Sequence, residues 1–242
     1  MNVRNVIITI VVILVIYIVY SYFFGGSSGS STKLIHMHDA RQSDVISPSS
    51  LPSNTSTDYT YSVWFFISDW NYRLGEPKVI FGRTDKSNDP SPSVFLAPSM
   101  NNIHISMAVY PSQTETSGTA RIHTCILENV PLQKWTNLTI SLEGRAMDVY
   151  LDGKLVRTCM MPGVPKADPA SNVLVTPDGG FNGYVAALQY IGRAINPTEA
   201  YDIYKKGYGS GYGIGSLGAV FNKYRIKMAF MENNREVNSL EV

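Results

Sequence analysis

The chain has 242 residues, with 20 basic against 19 acidic side chains and a formal net charge of +1. That balance, without a run of Lys or Arg and without an acidic tail, excludes the electrostatic footprint of a nucleic-acid binder. A hydrophobic content of 44%, with aromatics at 11%, supplies a good core for one domain.

Residues 6–24 carry no charge, Pro or Gly. At about 1.5 Å per helical residue, the run is as long as a bilayer core is thick. Tyr17, Tyr20, Tyr22, Phe23 and Phe24 crowd its end like an interfacial aromatic belt. A signal peptide has a shorter apolar region, about 7–15 residues, and a buried core helix would show a polar face. The expectation is a single transmembrane helix (residues 1–24), with the lipid bilayer as partner through residues 6–24. Arg4 precedes the span, whereas Lys33 and Arg41 follow a neutral Gly/Ser stretch. This places the N-terminus in the cytosol and the rest across the membrane. Residues 25–56, with GGSSGSS and then SPSSLPSNTS, read as a flexible tether.

Beyond the tether almost every segment reads as strand. Residues 59–68 alternate Tyr59, Tyr61, Val63, Phe65 and Ile67 against Thr60, Ser62, Trp64, Phe66 and Ser68, so a central strand covered on both faces is predicted. Residues 79–82 and 93–97 are short strands around the Asp/Asn/Ser/Pro-rich loop 85–92. Residues 103–110 and 119–127 continue the pattern. Leu138, Ile140 and Leu142 share one face, with Asn137, Thr139 and Ser141 on the other. Met147, Val149 and Leu151 repeat this after the turn at 143–145. Asp152-Gly153 supplies the φ > 0 positions of a type I′ turn, and residues 155–160 run back. Residues 173–175 and 184–191 complete the set. Strands about every ten residues, with turn signals between, predict an all-β antiparallel sandwich.

One helix follows. Asn196 caps it, Pro197 takes its first position, Glu199 completes a capping box and Gly207 ends it. GYGSGYGIGSLG lacks Gly-Lys-Ser/Thr, so it is a connector rather than a phosphate cradle. Residues 223–230 alternate as one amphipathic strand with a basic face, and 231–242 read as frayed.

Cys125 and Cys159 lie on strands of the same part of the sandwich. They form either one disulfide, if the domain faces an oxidising compartment, or two buried thiols. Asn54 and Asn137 begin Asn-x-Ser/Thr sequons, candidates for glycosylation in a secretory lumen.

The run Trp135, a strand, then Val149-Tyr150-Leu151-Asp152-Gly153-Lys154 resembles the middle of a concanavalin A-like jelly roll of the laminin-G/pentraxin kind. Tyr61-Ser62-Val63-Trp64-Phe65 is similar to the start of such domains. Phe181-Asn182-Gly183, Tyr190 and residues 196–207 are similar to the end. The resemblance implies a jelly-roll domain over 57–207, followed by a Gly-rich connector and strand over 208–242. The wording of 129–135 and 148–159 resembles membrane-anchored members from large DNA viruses.

Retaining glucanases of this superfamily carry Glu-x-Asp-x-Glu on one strand, so that two carboxylates meet about 5–5.5 Å apart. No such run exists here, and His36, His38, His104 and His123 have no triad companions. The expectation is therefore no enzyme and no catalytic residue. The leading expectation is a membrane-anchored interaction module, a minor capsid or membrane component of a virus particle that contacts other shell proteins. The alternative is a glycan-binding attachment domain. Lectin sites on this fold combine an aromatic platform with Asp/Asn around calcium, which makes Trp70, Tyr72, Asp85 and Asp89 the ligand-binding candidates. No cofactor is expected; calcium is the one ion the resemblance admits, although no compact series of six to eight oxygen ligands stands in the sequence.

Overall fold

A computed structural model of the chain describes residues 13–14, 17, 31–52, 57–110, 120–209, 227–232 and 235–241, with the backbone alone over 31–33 and beyond 226. The contacts divide the chain into residues 1–31 and 32–242. In the first unit Ile13, Leu14 and Tyr17 are helical and exposed; the rest of the predicted span lies outside the described residues. Among the described residues, no helix is long and apolar enough to cross a membrane.

The second unit contains an all-β sandwich. Its strands are β1 (Ser31–Lys33), β2 (His38–Asp39), β3 (Asp44–Ile46), β4 (Tyr59–Asp69), β5 (Lys78–Thr84), β6 (Pro90–Leu96), β7 (Ile103–Val109), β8 (Arg121–Leu127), β9 (Thr136–Glu143), β10 (Ala146–Leu151), β11 (Lys154–Met160), β12 (Val173–Val175) and β13 (Asn182–Ile191). One sheet runs β1-β13-β4-β9-β10-β11, with β2 also on β13; the other runs β3-β12-β5-β6-β7-β8. Every pairing with a described register is antiparallel. The alternation read from the sequence sets which side chains meet between the sheets. Tyr61, Val63, Phe65 and Ile67 of β4 face Ile80, Phe81, Val94, Ile105 and Met107 in one continuous core.

Strand β4 is buried on both faces, as its aromatics on both sides predict, and the polar face read for β9 is buried with it. The helix α1 (Pro197–Lys206) belongs to a second apolar cluster, in which Ala200 and Ile203 pack with Tyr150, Ile191 and Ile195. A layer of hydroxyls and one amide is buried on this face. Thr139 Oγ1 and Asn137 Nδ2 donate to Ser62 Oγ, Thr60 Oγ1 donates to Ser141 Oγ, and the Ile195 N–H donates to Ser141 Oγ. Each of these five side chains has a partner, which is what makes burial of polar atoms tolerable. The predicted capping box is present: Asn196 accepts from the Glu199 N–H while Glu199 accepts from the Asn196 N–H. Arg193 also donates to the Glu199 carboxylate, holding it below its usual pKa range.

Two segments differ from the sequence reading. The predicted tether, 25–56, contains β1, β2 and β3, and Ile35, Ala40 and Ile46 are buried in the core. Strands of two or three residues are too short to show a period, and of the three buried apolar side chains only Ile46 lies in one. At the other end, β14 (Lys227–Glu232) pairs with β15 (Arg235–Glu241) as a hairpin, where one strand and a frayed tail were predicted. The Gly-rich connector lies outside the described residues beyond Gly209.

Candidate functional site

Three loops meet at one end of the sandwich: 70–77 between β4 and β5, 97–102 between β6 and β7, and 128–135 between β8 and β9. Backbone hydrogen bonds lace them together. The Val130 N–H donates to Asn101 O, Gly75 N–H to Pro98 O and Gln133 N–H to Ile67 O. Asn129 and Gln133 adopt φ of 56° and 54°, left-handed conformations that the asparagine tolerates better than most residues. The result is an open depression of about 650 Å³. Trp70, Met100 and Leu132 supply its apolar lining; Asn101, Asn102, Glu128 and Asn129 supply most of its polar groups.

The indole of Trp70 is held from behind. Lys78, with 1% of its surface exposed, donates to Trp70 O at 3.3 Å, and its ammonium sits 4.5 Å over the ring centroid. Desolvation pushes the pKa of Lys78 down, so cation–π contact and one carbonyl are what offset the cost of burying it. The amides are fixed too. Asn101 Nδ2 donates to Val130 O, and Asn102 Oδ1 accepts from the Asn129 N–H.

The four predicted ligand residues do not form one site. Trp70 lines the depression, but the Tyr72 hydroxyl donates to Gly179 O and so supports the turn Pro177–Gly179. Asp85 and Asp89 stand past the far end of β5, about 20 Å away along a seven-residue strand at roughly 3.3 Å per residue. There both carboxylates accept from the Lys166 ammonium, at 2.7 Å each, and Asp85 also accepts from the N–H groups of Ser87 and Asp89. The lysine holds the Asp85 carboxyl below its usual range and raises its own pKa. A lysine thus stands where calcium would be expected. Among the described residues, no three His, Cys, Asp or Glu side chains gather as metal ligands.

Other carboxylates are committed as well. Asp152 accepts from the Asn137 N–H and from Lys134, and Asp148 accepts from Thr158. Cys125 and Cys159 are disulfide-bonded, Cα atoms 6.1 Å apart, which joins edge strand β8 of one sheet to edge strand β11 of the other. Of the sequons, Asn54 lies outside the described residues. Asn137 is fully buried with its Nδ2 bonded to Ser62 and Val63, which leaves no room for a glycan on the folded domain. The sequence reading missed Asn101, Asn102, Glu128 and Asn129. Their signal is faint: an Asn-Asn and a Glu-Asn pair, each at the end of a strand, brought together only by sheet pairing.

A laminin G family model, described as the concanavalin A-like lectin/glucanases superfamily, matches residues 39–200. No curated protein matches the sequence. Among solved structures, the ligand binding domain of botulinum neurotoxin serotype D in complex with N-acetylneuraminic acid superposes with a TM-score of 0.51 at 12% identity, over 73% of this chain and 51% of that one. A mutant of HCR/D gives 0.52 at 12% identity, over 72% and 41%. The chain spans about half the length of these structures or less, and at such identity the likeness is one of fold. With the family match covering most of its length, the chain belongs to the concanavalin A-like lectin/glucanases superfamily.

Proposed function

We propose that the chain is a non-enzymatic interaction module, held at a bilayer by residues 6–24, whose sandwich works by contact with other proteins. The observation that carries this is a set of exposed apolar side chains on the two stapled edge strands. Ile122 on β8 and Leu155, Val156 and Met160 on β11 are 45% to 63% exposed. Exposed apolar side chains on edge strands favour association with a partner. Catalysis has no foothold in the committed carboxylates described above. In the setting the sequence resembles, a large DNA virus particle, the module is a membrane or minor capsid component that links the virion membrane to the protein shell. The Cys125–Cys159 bridge fits a head placed in an oxidising compartment.

Substituting Ile122→Glu together with Met160→Glu tests these side chains. Both side chains face solvent, so the stability stays within about 0.5 kcal/mol per site of the parent. The double variant is expected to fall away from the shell when particles are stripped of lipid with detergent. Its retention on the shell would overturn these edge strands as the contact surface. The Trp70 depression favours a second reading, glycan binding, because an aromatic face with a few fixed polar groups is how small ligands are held.

A further inference from the structure

We infer that the Trp70 depression takes an uncharged pyranose ring, needs no metal ion, and rejects acidic sugars. This rests on the glycan-binding reading of the site.

The apolar partner is already in place. Trp70 is backed by Lys78 and packs against the core, so its ring needs no ordering when a ligand arrives. The C–H face of a pyranose is the natural complement to an indole, whose face carries negative quadrupole density.

The polar partners have the composition a diol requires. Hydroxyls donate and accept, so two neighbouring hydroxyls are best met by a donor and an acceptor side by side. The bond from Asn101 Nδ2 to Val130 O leaves Asn101 Oδ1 as an acceptor without a partner among the described residues. The bond from the Asn129 N–H to Asn102 Oδ1 leaves Asn102 Nδ2 as the matching donor. Glu128 makes no ion pair with a described residue and adds two acceptor oxygens.

The charge excludes the acidic class. Glu128 is the one ionised side chain lining the depression, and neither Lys nor Arg lines it. Of the described cations around these loops, Lys78 is spent beneath the indole, Lys134 is paired with Asp152 at 2.9 Å, and Arg157 donates to Ile126 O at 2.7 Å. A sugar carboxylate would face Glu128 with nothing to offset the repulsion. A single carboxylate is also too poor a donor set for calcium, which takes six to eight oxygens.

The full chain in a sugar-free detergent provides the test, because an alkyl glycoside would occupy the site. The probes are uncharged hexose and N-acetylhexosamine oligosaccharides and the same chains capped with N-acetylneuraminic acid, titrated in EDTA. Uncharged probes are expected to bind, capped ones at least tenfold more weakly, with no change on adding calcium. Asn102→Asp keeps the bond to the Asn129 N–H and removes the amide donor, so affinity for the uncharged probe falls about tenfold. Glu128→Gln narrows the gap between the two probe sets. Equal binding of both sets, a requirement for calcium, or silence of both variants overturns the inference while leaving the glycan reading intact. No binding of any probe overturns both.

Discussion

Removing the bridge between Cys125 and Cys159 lowers the thermal midpoint by about 6–16 °C. The two cysteines are 34 residues apart, and closing a loop of that length contributes roughly 3–4 kcal/mol in the chain-entropy model. For a domain of this size, each kcal/mol moves the midpoint by about 2–4 °C. The bridge also has a local role. Strands β8 and β11 are the outermost strands of different sheets, and nothing in their ladders ties one sheet to the other. Besides the sulfurs, Arg157 reaches across to donate to Ile126 O at 2.7 Å. Loss of the bridge should therefore loosen this side first, with amide exchange rising in β8 and β11 before β4 and β9. The double variant Cys125→Ala/Cys159→Ala and dithiothreitol on the parent should give the same shift, and dithiothreitol should add nothing to the variant. A shift under about 2 °C would show that the bridge does not stabilise the sandwich.

Gly183→Ala should be comparably damaging. A Cβ at position 183 would lie 1.9 Å from the carbonyl oxygen of Phe66 and 3.0 Å from the Phe181 ring. The obstacle is backbone, in the central strand β4, so no side-chain rotation relieves it. Strand β13 would have to move off β4 where the two already change register between Asn182 and Gly183. Overpacking a core costs about 1–3 kcal/mol and occasionally more; a backbone clash between central strands belongs at the top of that range, about 3 kcal/mol or above. Gly144→Ala is the control. Gly144 has φ of 56° but nothing within 4 Å of an added Cβ, so it carries only the left-handed penalty of about 1–2 kcal/mol. Soluble Gly183→Ala protein that melts within about 2 °C of the parent would contradict the account of this motif.

That glycine also shows what the sequence could convey. Phe181-Asn182-Gly183 is legible as a family motif, and the structure supplies its cause: the close passage of β13 over Phe66. Strands β4, β9, β10 and β11 are legible because alternation and the Asp152-Gly153 turn encode face and register locally; Asp152 and Gly153 have φ of 49° and 73°. The helix is legible because capping is a four-residue code. Burial of Asn137, Thr139 and Ser141 is not legible, because alternation separates two faces but does not say whether a later helix covers the polar one. The candidate site is the least legible part. Trp70, Asp85 and Asp89 share a loop-like composition, yet β5 holds them at opposite ends, and the partners that Trp70 acquires lie about thirty to sixty positions along the chain.

The most direct test of the account is extraction of membranes carrying the full chain with alkaline carbonate, followed by protease with and without detergent. The chain is expected to stay in the pellet, with a fragment containing residues 31–207 protected until detergent is added and Cys125 bonded to Cys159 on a non-reducing gel. Release of the intact chain into the carbonate supernatant would contradict a module held in the bilayer by its N-terminal segment.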